Sequence, residues 1–172
     1  MKNSAASASP TDLVSGRGRH DAVMRPVWNR MWDAVATSGL PVHFDTIGSD
    51  MRRDFTKLAP KVALAARITS FRMYMSEVLL SVIFLGVLEH HPGIKLVIGE
   101  AGTGWIPYIP QRMDAEWEDQ FKELDLKMPP TEYWRRQCHA TYQSDPIGVK
   151  LIDELGADNI MWGSDFPHAD GV

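Results

Sequence analysis

The sequence has little cysteine, no long hydrophobic run and no excess of positive charge. A single cysteine, Cys138, excludes an intramolecular disulfide and is typical of a reducing compartment, so we expect a cytoplasmic protein. The longest apolar run, 78–88, is about half of the roughly 20 residues that a membrane-spanning helix needs, so we expect no membrane partner. The net charge of -4, without a basic stripe, argues against a nucleic-acid partner.

The composition is that of an ordinary globular domain. Of the 172 residues, 44% are hydrophobic and 23% are charged, which is enough for one domain with a real core. Residues 1–20 are small and polar and contain no apolar segment of the secretory type, so we interpret them as a flexible lead-in. The domain itself is predicted to occupy residues 21–172.

Four short apolar stretches are predicted to be strands, and helical patterns lie between them. A first helix is expected to begin near Arg25, and a longer helical pattern over 62–90 allows one break. The last strand, 160–162, is so apolar that we predict it to be buried. This alternation predicts a parallel sheet with right-handed crossovers. The predicted strands are 40–44, 94–98, 138–142 and 160–162.

Ionisable side chains follow three of these strands. His43 and Asp45 lie two residues apart and therefore face the same way, Glu100 follows the second strand, and Asp165 follows the fourth. In parallel α/β proteins the chemistry sits at the carboxyl ends of the strands. Imidazole and carboxylate donors meeting there suit a divalent cation such as zinc or manganese. Any one of these residues could merely cap a helix, but all of them together favour a site.

Three further features are candidates for chemistry. Glu100 in apolar surroundings would have a raised pKa and could act as a general acid or base, or it could instead pair with an arginine. His168 could support the metal site, bind substrate, or be a surface histidine. The Gly-Thr-Gly turn at 102–104 opens a helix and could hold an anion. Pro107 breaks the dinucleotide-binding pattern there, so this signal is weak.

Two stretches resemble the amidohydrolase-related family, in the branch around aminocarboxymuconate semialdehyde decarboxylase and the resorcylate decarboxylases. They read Gly-Glu-Ala-Gly-Thr-Gly-Trp at 99–105 and Trp-Gly-Ser-Asp-Phe-Pro-His at 162–168. The resemblance implies a metal-dependent (β/α)8 TIM barrel that decarboxylates or hydrolyses small carboxylated substrates. It also implies that Asp165 binds the metal. We further expect Asp165 to take part in catalysis, and Trp105 and His168 to contact the substrate.

The chain departs from the family's pattern at two strand ends. The family's fifth strand ends in a pattern like Pro-Val-x-Phe-His-Thr-x-Gly, whereas the stretch 41–48 places Asp45 where the metal-binding histidine belongs, with His43 two residues earlier. Either residue could then be the ligand. In decarboxylase relatives a catalytic histidine ends the sixth strand. Glu100 stands at that place, so a carboxyl group would be the acid or base.

The resemblance covers only strands five to eight of the barrel. The family's first strand supplies a His-x-His or Glu-x-His pair, and no such pair precedes His20. Four parallel strands cannot close a barrel, and the apolar faces that normally fill its centre would meet water unless covered. We therefore expect a fragment of a longer product, a half-barrel that pairs with its own copy or a missing N-terminal half, or an open α/β sheet. The alternative to an enzyme is a non-catalytic remnant or dimerising interaction module.

Overall fold

The computed structural model describes residues 28–45, 57–168 and 171–172. The predicted lead-in at 1–20, the predicted helix start near Arg25 and the stretch 46–56 lie outside the described residues. No helix in the described ranges is long and apolar enough to cross a membrane. The helices are α1 (Asn29–Ser38), α2 (Pro60–Ser70), α3 (Met75–Phe84), α4 (Val87–His90), α5 (Tyr108–Gln120), α6 (Pro130–Gln137), α7 (Pro146–Lys150) and α8 (Ile152–Leu155). The strands are β1 (Val42–Phe44), β2 (Leu96–Ile98), β3 (Cys138–Tyr142) and β4 (Ile160–Trp162).

All four strands form one parallel sheet in the order β1-β2-β3-β4. Ile98 of β2 lies opposite Phe44 of β1 on one side and Ala140 of β3 on the other, and Ala140 in turn lies opposite Ile160 of β4. Helices connect each strand to the next, as parallel neighbours require. The predicted parallel α/β sheet is therefore confirmed, and within the described chain β1 and β4 are its outer strands.

The hydrophobic core lies between the sheet and the helices. Trp32 of α1 and Trp117 of α5 are buried in it, and Cys138 is a buried strand residue. The strand side chains that point toward the helices alternate along each strand, which is the periodicity expected of a sheet with one covered face. The most deeply buried strand and helix side chains of this core include Leu79, Ile83, Leu96, Ile98, Met113, Trp134 and Ala140.

The long helical pattern is broken more than once. A 3-10 turn over Phe71–Tyr74 separates α2 from α3, and Gly86 separates α3 from α4. Gly86 has φ of 70°, a left-handed conformation that glycine adopts without steric cost. The single break that the sequence allowed at 62–90 is thus an underestimate.

The prediction that 160–162 is a buried strand is wrong. Met161 is 40% exposed and Trp162 is 63% exposed, and only Ile160 packs against the core. Within the described chain β4 has a strand neighbour on one side only, so no strand covers its other side. Apolar composition predicted the strand correctly but did not predict its place at the edge of the sheet.

The sheet face opposite the helices carries both polar and apolar side chains. Val97 and Met161 are its apolar members, and two histidines and a threonine accompany them: His43, His139 and Thr141. Burial and the charge of Lys95 lower the pKa of His139, which favours its neutral form. The predicted apolar face is therefore only partly present.

A polar network joins the helices on the covered side. The Tyr133 hydroxyl donates a short hydrogen bond to the Glu89 carboxylate, and Lys127 Nζ lies 3.0 Å from the other carboxylate oxygen. Burial, followed by the contact with Glu89, raises the pKa of Tyr133 to about 12, and the Tyr133 hydrogen bond is the main cause that lowers the pKa of Glu89. Buried Tyr133 is thus satisfied as a donor, as a buried hydroxyl requires.

Candidate active site

Acidic side chains lie where three strands of the sheet end. Asp45 directly follows β1, Glu100 lies two residues beyond β2, and Asp165 lies three residues beyond β4. All strands run in the same direction, so these positions belong to the same edge of the sheet. Each residue is partly buried.

The electrostatics of Glu100 link it to the other two acids and to His168. Burial raises the pKa of Glu100, the charges of Asp45 and Asp165 raise it further, and a side-chain hydrogen bond with Asp165 adds to the effect. The charge of His168 acts in the opposite direction. Interactions of this kind are short-ranged in a partly solvated site. We call Asp45, Glu100, Asp165 and His168 the strand-end cluster.

Two members of the cluster have strained backbones. Glu100 has φ of 55° and Asp165 has φ of 58°, and within the described chain they are the non-glycine residues with positive φ. A side chain in this conformation costs roughly 1–2 kcal/mol. The backbone N–H of Glu100 donates to Thr141 Oγ1 at 3.0 Å, which helps to hold the turn. Strain of this type concentrates at functional sites, because the side chain must be aimed in a particular direction.

Asp165 carries a buried oxygen that lacks a well-directed hydrogen bond in the described structure. Its Oδ2 lies 3.0 Å from Nδ1 of His168, but the angles are not those of a hydrogen bond. The Asp165 side chain is only 18% exposed. A buried carboxylate oxygen without its full set of partners is costly unless a cation approaches it.

The carboxylate oxygens of the strand-end cluster are of the chemical type that binds divalent cations. Carboxylate oxygens are the ligands that hard cations prefer, and three carboxylates crowded together repel one another until a positive charge joins them. Among the described residues, no group of three or more His, Cys, Asp or Glu side chains is arranged to hold a metal ion. The cluster therefore has the chemistry of a metal site without a complete set of preformed ligands in this part of the chain.

The other two predicted site residues lie beside the cluster. A Cβ atom built on Gly99 would lie 2.1 Å from Nε2 of His43, so the imidazole lies against the backbone immediately before Glu100. The indole N–H of Trp105 donates to the Ala101 carbonyl at 2.9 Å, and its ring packs against the core. The roles of His43 in metal binding and of Trp105 in substrate binding stay predictions.

The Gly-Thr-Gly turn does bind an anion, and the anion is the chain's own Asp145. Oδ2 of Asp145 accepts hydrogen bonds from the backbone N–H groups of Thr103 at 2.6 Å and Gly104 at 2.7 Å. Its Oδ1 accepts from the N–H of Gly148 at 2.9 Å and so caps α7. Burial alone would raise the pKa of Asp145, but these backbone donors lower it below its ordinary value. The turn is thereby filled.

Sequence reasoning missed two contributors to this region. Neither Asp145 nor Thr141 is among the site residues that the sequence predicts. Their contacts with Gly104 and Glu100 each span 41 residues of sequence, so no local pattern indicates them. The signal that existed was the position of both residues at the exit of β3, next to the strand that Glu100 follows.

Comparison with protein families gives a match over most of the sequence. The family model described as amidohydrolase matches residues 11–171. A gamma-resorcylate decarboxylase from Rhodococcus jostii (strain RHA1) is 30% identical over 87 residues. That match covers 48% of this chain and 26% of the relative, so the similar segment is about a quarter of the relative's length.

Solved structures resemble the chain over more of its length. An amidohydrolase from Mycobacterium avium subsp. paratuberculosis aligns with a TM-score of 0.67 at 23% identity, over 88% of this chain and 38% of that one. A dihydroxybenzoic acid decarboxylase from Polaromonas sp. JS666, solved with bound manganese and the inhibitor 2-nitroresorcinol, aligns with a TM-score of 0.59 at 18% identity. This alignment covers 84% of this chain and 45% of the Polaromonas chain. The four strands are therefore part of a TIM-barrel fold.

Proposed function

The chain belongs to the amidohydrolase family, and we propose that it carries half of the active site of a metal-dependent decarboxylase of small carboxylated aromatic substrates. The observation that carries the proposal is the strand-end cluster, in which Glu100 has a raised pKa beside Asp45 and Asp165. Similarity to resorcylate and dihydroxybenzoate decarboxylases supports the choice of substrate class. Hydrolysis of a related carboxylated substrate is the second reaction that this family fold accommodates.

Asp165 and Asp45 would hold the cation, with His43 as a further candidate ligand. A divalent cation such as manganese or zinc, when bound, would polarise the oxygens of the substrate. The buried oxygen of Asp165 supports this assignment, because it lacks a well-directed hydrogen bond in the described chain. Asp45 supports it through its closeness to Glu100.

Glu100 would supply the proton. Its raised pKa favours the protonated carboxyl group, which is the form that can act as a general acid. In decarboxylation the bond between the ring carbon and the carboxylate breaks, and carbon dioxide leaves without the bonding electron pair. The ring carbon keeps that pair and takes the proton from Glu100, whose carboxylate then recovers a proton from water.

His168 would adjust this chemistry through its charge. A protonated His168 lowers the pKa of Glu100, whereas Asp45 and Asp165 raise it. Its imidazole also lies beside Oδ2 of Asp165 and is largely exposed. His168 is thus suited to attract an anionic substrate to the cluster.

The other half of the barrel would come from a longer polypeptide or from a second copy of this chain. Four parallel strands leave β1 and β4 as outer strands in the described structure. The exposed Met161 and Trp162 on β4 favour the alternative proposal, in which the chain is a non-catalytic module that associates through this edge. The second-copy version and the non-catalytic alternative both predict association of the chain, and catalytic turnover separates them.

Titration of the protein with manganese tests the metal centre. We expect calorimetry to show one Mn²⁺ bound per chain or assembled barrel, and Asp165→Asn to weaken that binding by at least about 10-fold, because a neutral amide replaces the charged carboxylate. Asp158→Asn is the matched control, since Asp158 is an exposed aspartate in the turn before β4. Equal binding by Asp165→Asn and the wild type would refute the metal assignment.

Release of carbon dioxide from 2,6-dihydroxybenzoate tests the reaction. Glu100→Gln should abolish release while retaining Mn²⁺ binding, because the amide has no acidic proton to transfer. A wild-type protein that binds Mn²⁺ and converts neither this substrate nor the corresponding methyl ester would favour the non-catalytic module. Sedimentation would then show whether the chain associates.

A further inference from the structure

Asp145 connects three parts of the chain through one carboxylate. We propose that it is a positioning residue, which fixes the turn after β2 and thereby aims Glu100 into the strand-end cluster. The consequence for catalysis depends on the proposed function, whereas the positioning itself does not.

The two carboxylate oxygens of Asp145 accept hydrogen bonds from different parts of the chain. Oδ2 accepts from the backbone N–H groups of Thr103 and Gly104, at 2.6 and 2.7 Å, and Oδ1 accepts from Gly148 at 2.9 Å. The Thr103 hydroxyl lies 3.4 Å from Oδ2. Hydrogen bonds to an ionised acceptor are about twice as strong as those between neutral groups. Asp145 therefore ties the turn after β2 to the first turn of α7.

The turn after β2 and α7 pack closely against each other. A Cβ atom on Gly148 would lie 1.9 Å from the Thr103 hydroxyl, so only glycine permits the approach of α7 to the turn. A Cβ atom on Gly104 would lie 3.1 Å from Ile147 and 3.3 Å from Oδ1 of Asp145. The glycines thus allow a close approach of the turn to α7, and the Asp145 hydrogen bonds join the two.

Glu100 is held at the other end of the same turn. Its N–H donates to Thr141 Oγ1, and both Thr141 and Asp145 belong to the exit of β3. The left-handed backbone of Glu100 persists only if the surrounding structure fixes it. Between the Thr141 contact and the Asp145 contacts the turn has only Ala101 and Gly102, so β3 dictates the conformation at both ends.

Asp145→Asn separates the two functions of the carboxylate. Asparagine caps helices as well as aspartate does, so its single oxygen can keep the Gly148 contact. Its NH₂ group then faces the N–H groups of Thr103 and Gly104, and no acceptor remains for them. The variant therefore releases the turn and keeps the helix cap.

Amide hydrogen exchange followed by NMR on the metal-free protein measures the release directly. We expect Asp145→Asn to accelerate exchange at Thr103, Gly104 and Glu100 by at least about 10-fold, the factor for losing one net hydrogen bond of about 1.4 kcal/mol, and to leave Gly148 within about 3-fold. Acceleration at Thr103 and Gly104 with an unchanged Glu100 would overturn the proposal. If Asp145→Asn does not fold, Asp145→Ser, which also retains a capping oxygen, is measured in the same way.

Asp114→Asn is the matched control. Asp114 also accepts two hydrogen bonds through its carboxylate, from the Thr131 N–H at 2.8 Å and the Thr131 hydroxyl at 2.6 Å, but it lies among the helices. Its exchange effect should stay at Thr131. If it accelerated Glu100 as much as Asp145→Asn does, general destabilisation would explain the result and the proposal would be refuted.

Turnover of the manganese-loaded protein gives the catalytic readout. Asp145→Asn should lower kcat by at least about 10-fold and leave KM within about 2-fold, because Glu100 is misaimed while substrate binding is retained. An unchanged kcat together with accelerated exchange would refute the catalytic part. Absence of turnover in the wild type would refute the proposed function and leave the exchange result standing.

Discussion

The two faces of the four-stranded sheet have opposite characters. The face toward the helices is apolar and buried, and it carries Phe44, Leu96, Ile98, Cys138 and Ala140. The other face mixes polar and apolar side chains, and it carries His43, Val97, His139, Thr141 and Met161. Buried apolar area is the main source of stability, at about 25 cal/mol per Å². The helix-facing side therefore holds the fold together, while the strand-end cluster lies at the edge of the sheet.

Equal truncations on the two faces should give the largest difference. Ile98→Ala and Met161→Ala each remove three heavy atoms. Ile98 is fully buried and Met161 is 40% exposed, so we expect Ile98→Ala to lower the free energy of unfolding by about 2–5 kcal/mol and Met161→Ala by less than about 1 kcal/mol. Urea denaturation followed by circular dichroism measures both. Comparable losses would show that the second face is covered by another surface in solution.

Loss of the Tyr133 hydroxyl should have the next largest effect. Tyr133→Phe keeps the ring in the core. It removes one hydrogen bond from the Glu89 carboxylate, which keeps its contact with Lys127 Nζ, and it leaves the Lys127 N–H without its acceptor. Unpaired groups of this kind cost about 1–3 kcal/mol, so we expect a loss of that size in urea denaturation at pH 7. The loss should shrink on acidification, because the lowered pKa of Glu89 stabilises the fold above the unfolded value of 4.5 and that contribution disappears as pH falls through the folded value.

A pH-independent loss in Tyr133→Phe would show that the hydroxyl acts through Lys127 alone. Arg135→Lys, a change at an exposed position of the same helix, is the control and should leave stability within about 0.5 kcal/mol.

The smallest effect should be a gain. Glu100 has a raised pKa in the fold, so its ionised form is disfavoured there, and the stability of the wild type falls as pH rises above the unfolded value of 4.5. Glu100→Gln should therefore be more stable at pH 7 in the absence of metal, by about 0.5 kcal/mol because the cluster is partly solvated. The gain should vanish below pH 4.5. Thermal unfolding across pH 4–8 measures this gain in stability. A Glu100→Gln variant that is less stable than the wild type at pH 7 would contradict the interpretation that the neighbouring acids disfavour ionised Glu100.

Local patterns were sufficient for the elements that the core requires. β3 and β4 have the predicted bounds, and β1 and β2 begin two residues later than predicted. These strands are apolar stretches between helix signals, so hydrophobic pattern alone locates them. The exposure of Trp162 could not be predicted, because burial depends on which neighbour a strand has in space.

The sequence singles out candidate site residues but not the contacts that hold them, and the roles of these residues stay predictions. Position at strand ends was enough to single out Asp45, Glu100 and Asp165. The backbone conformation of Glu100 and the carboxylate that fills the Gly-Thr-Gly turn depend on contacts across 41–42 residues. Asp145 illustrates the limit, since its capping of α7 follows from the local sequence and its hold on Gly104 does not.

The left-handed backbones at positions 100 and 165 show what a stability-optimised version of this chain would look like. Glycine would make the same two bends without steric conflict, and it would also remove two negative charges from a crowded place. A sequence designed only for folding stability would have glycine at both positions. The natural sequence instead has Glu100 and Asp165 at the two bends. The fold tolerates the backbone strain because its stability comes from the apolar sheet face that packs against the helices.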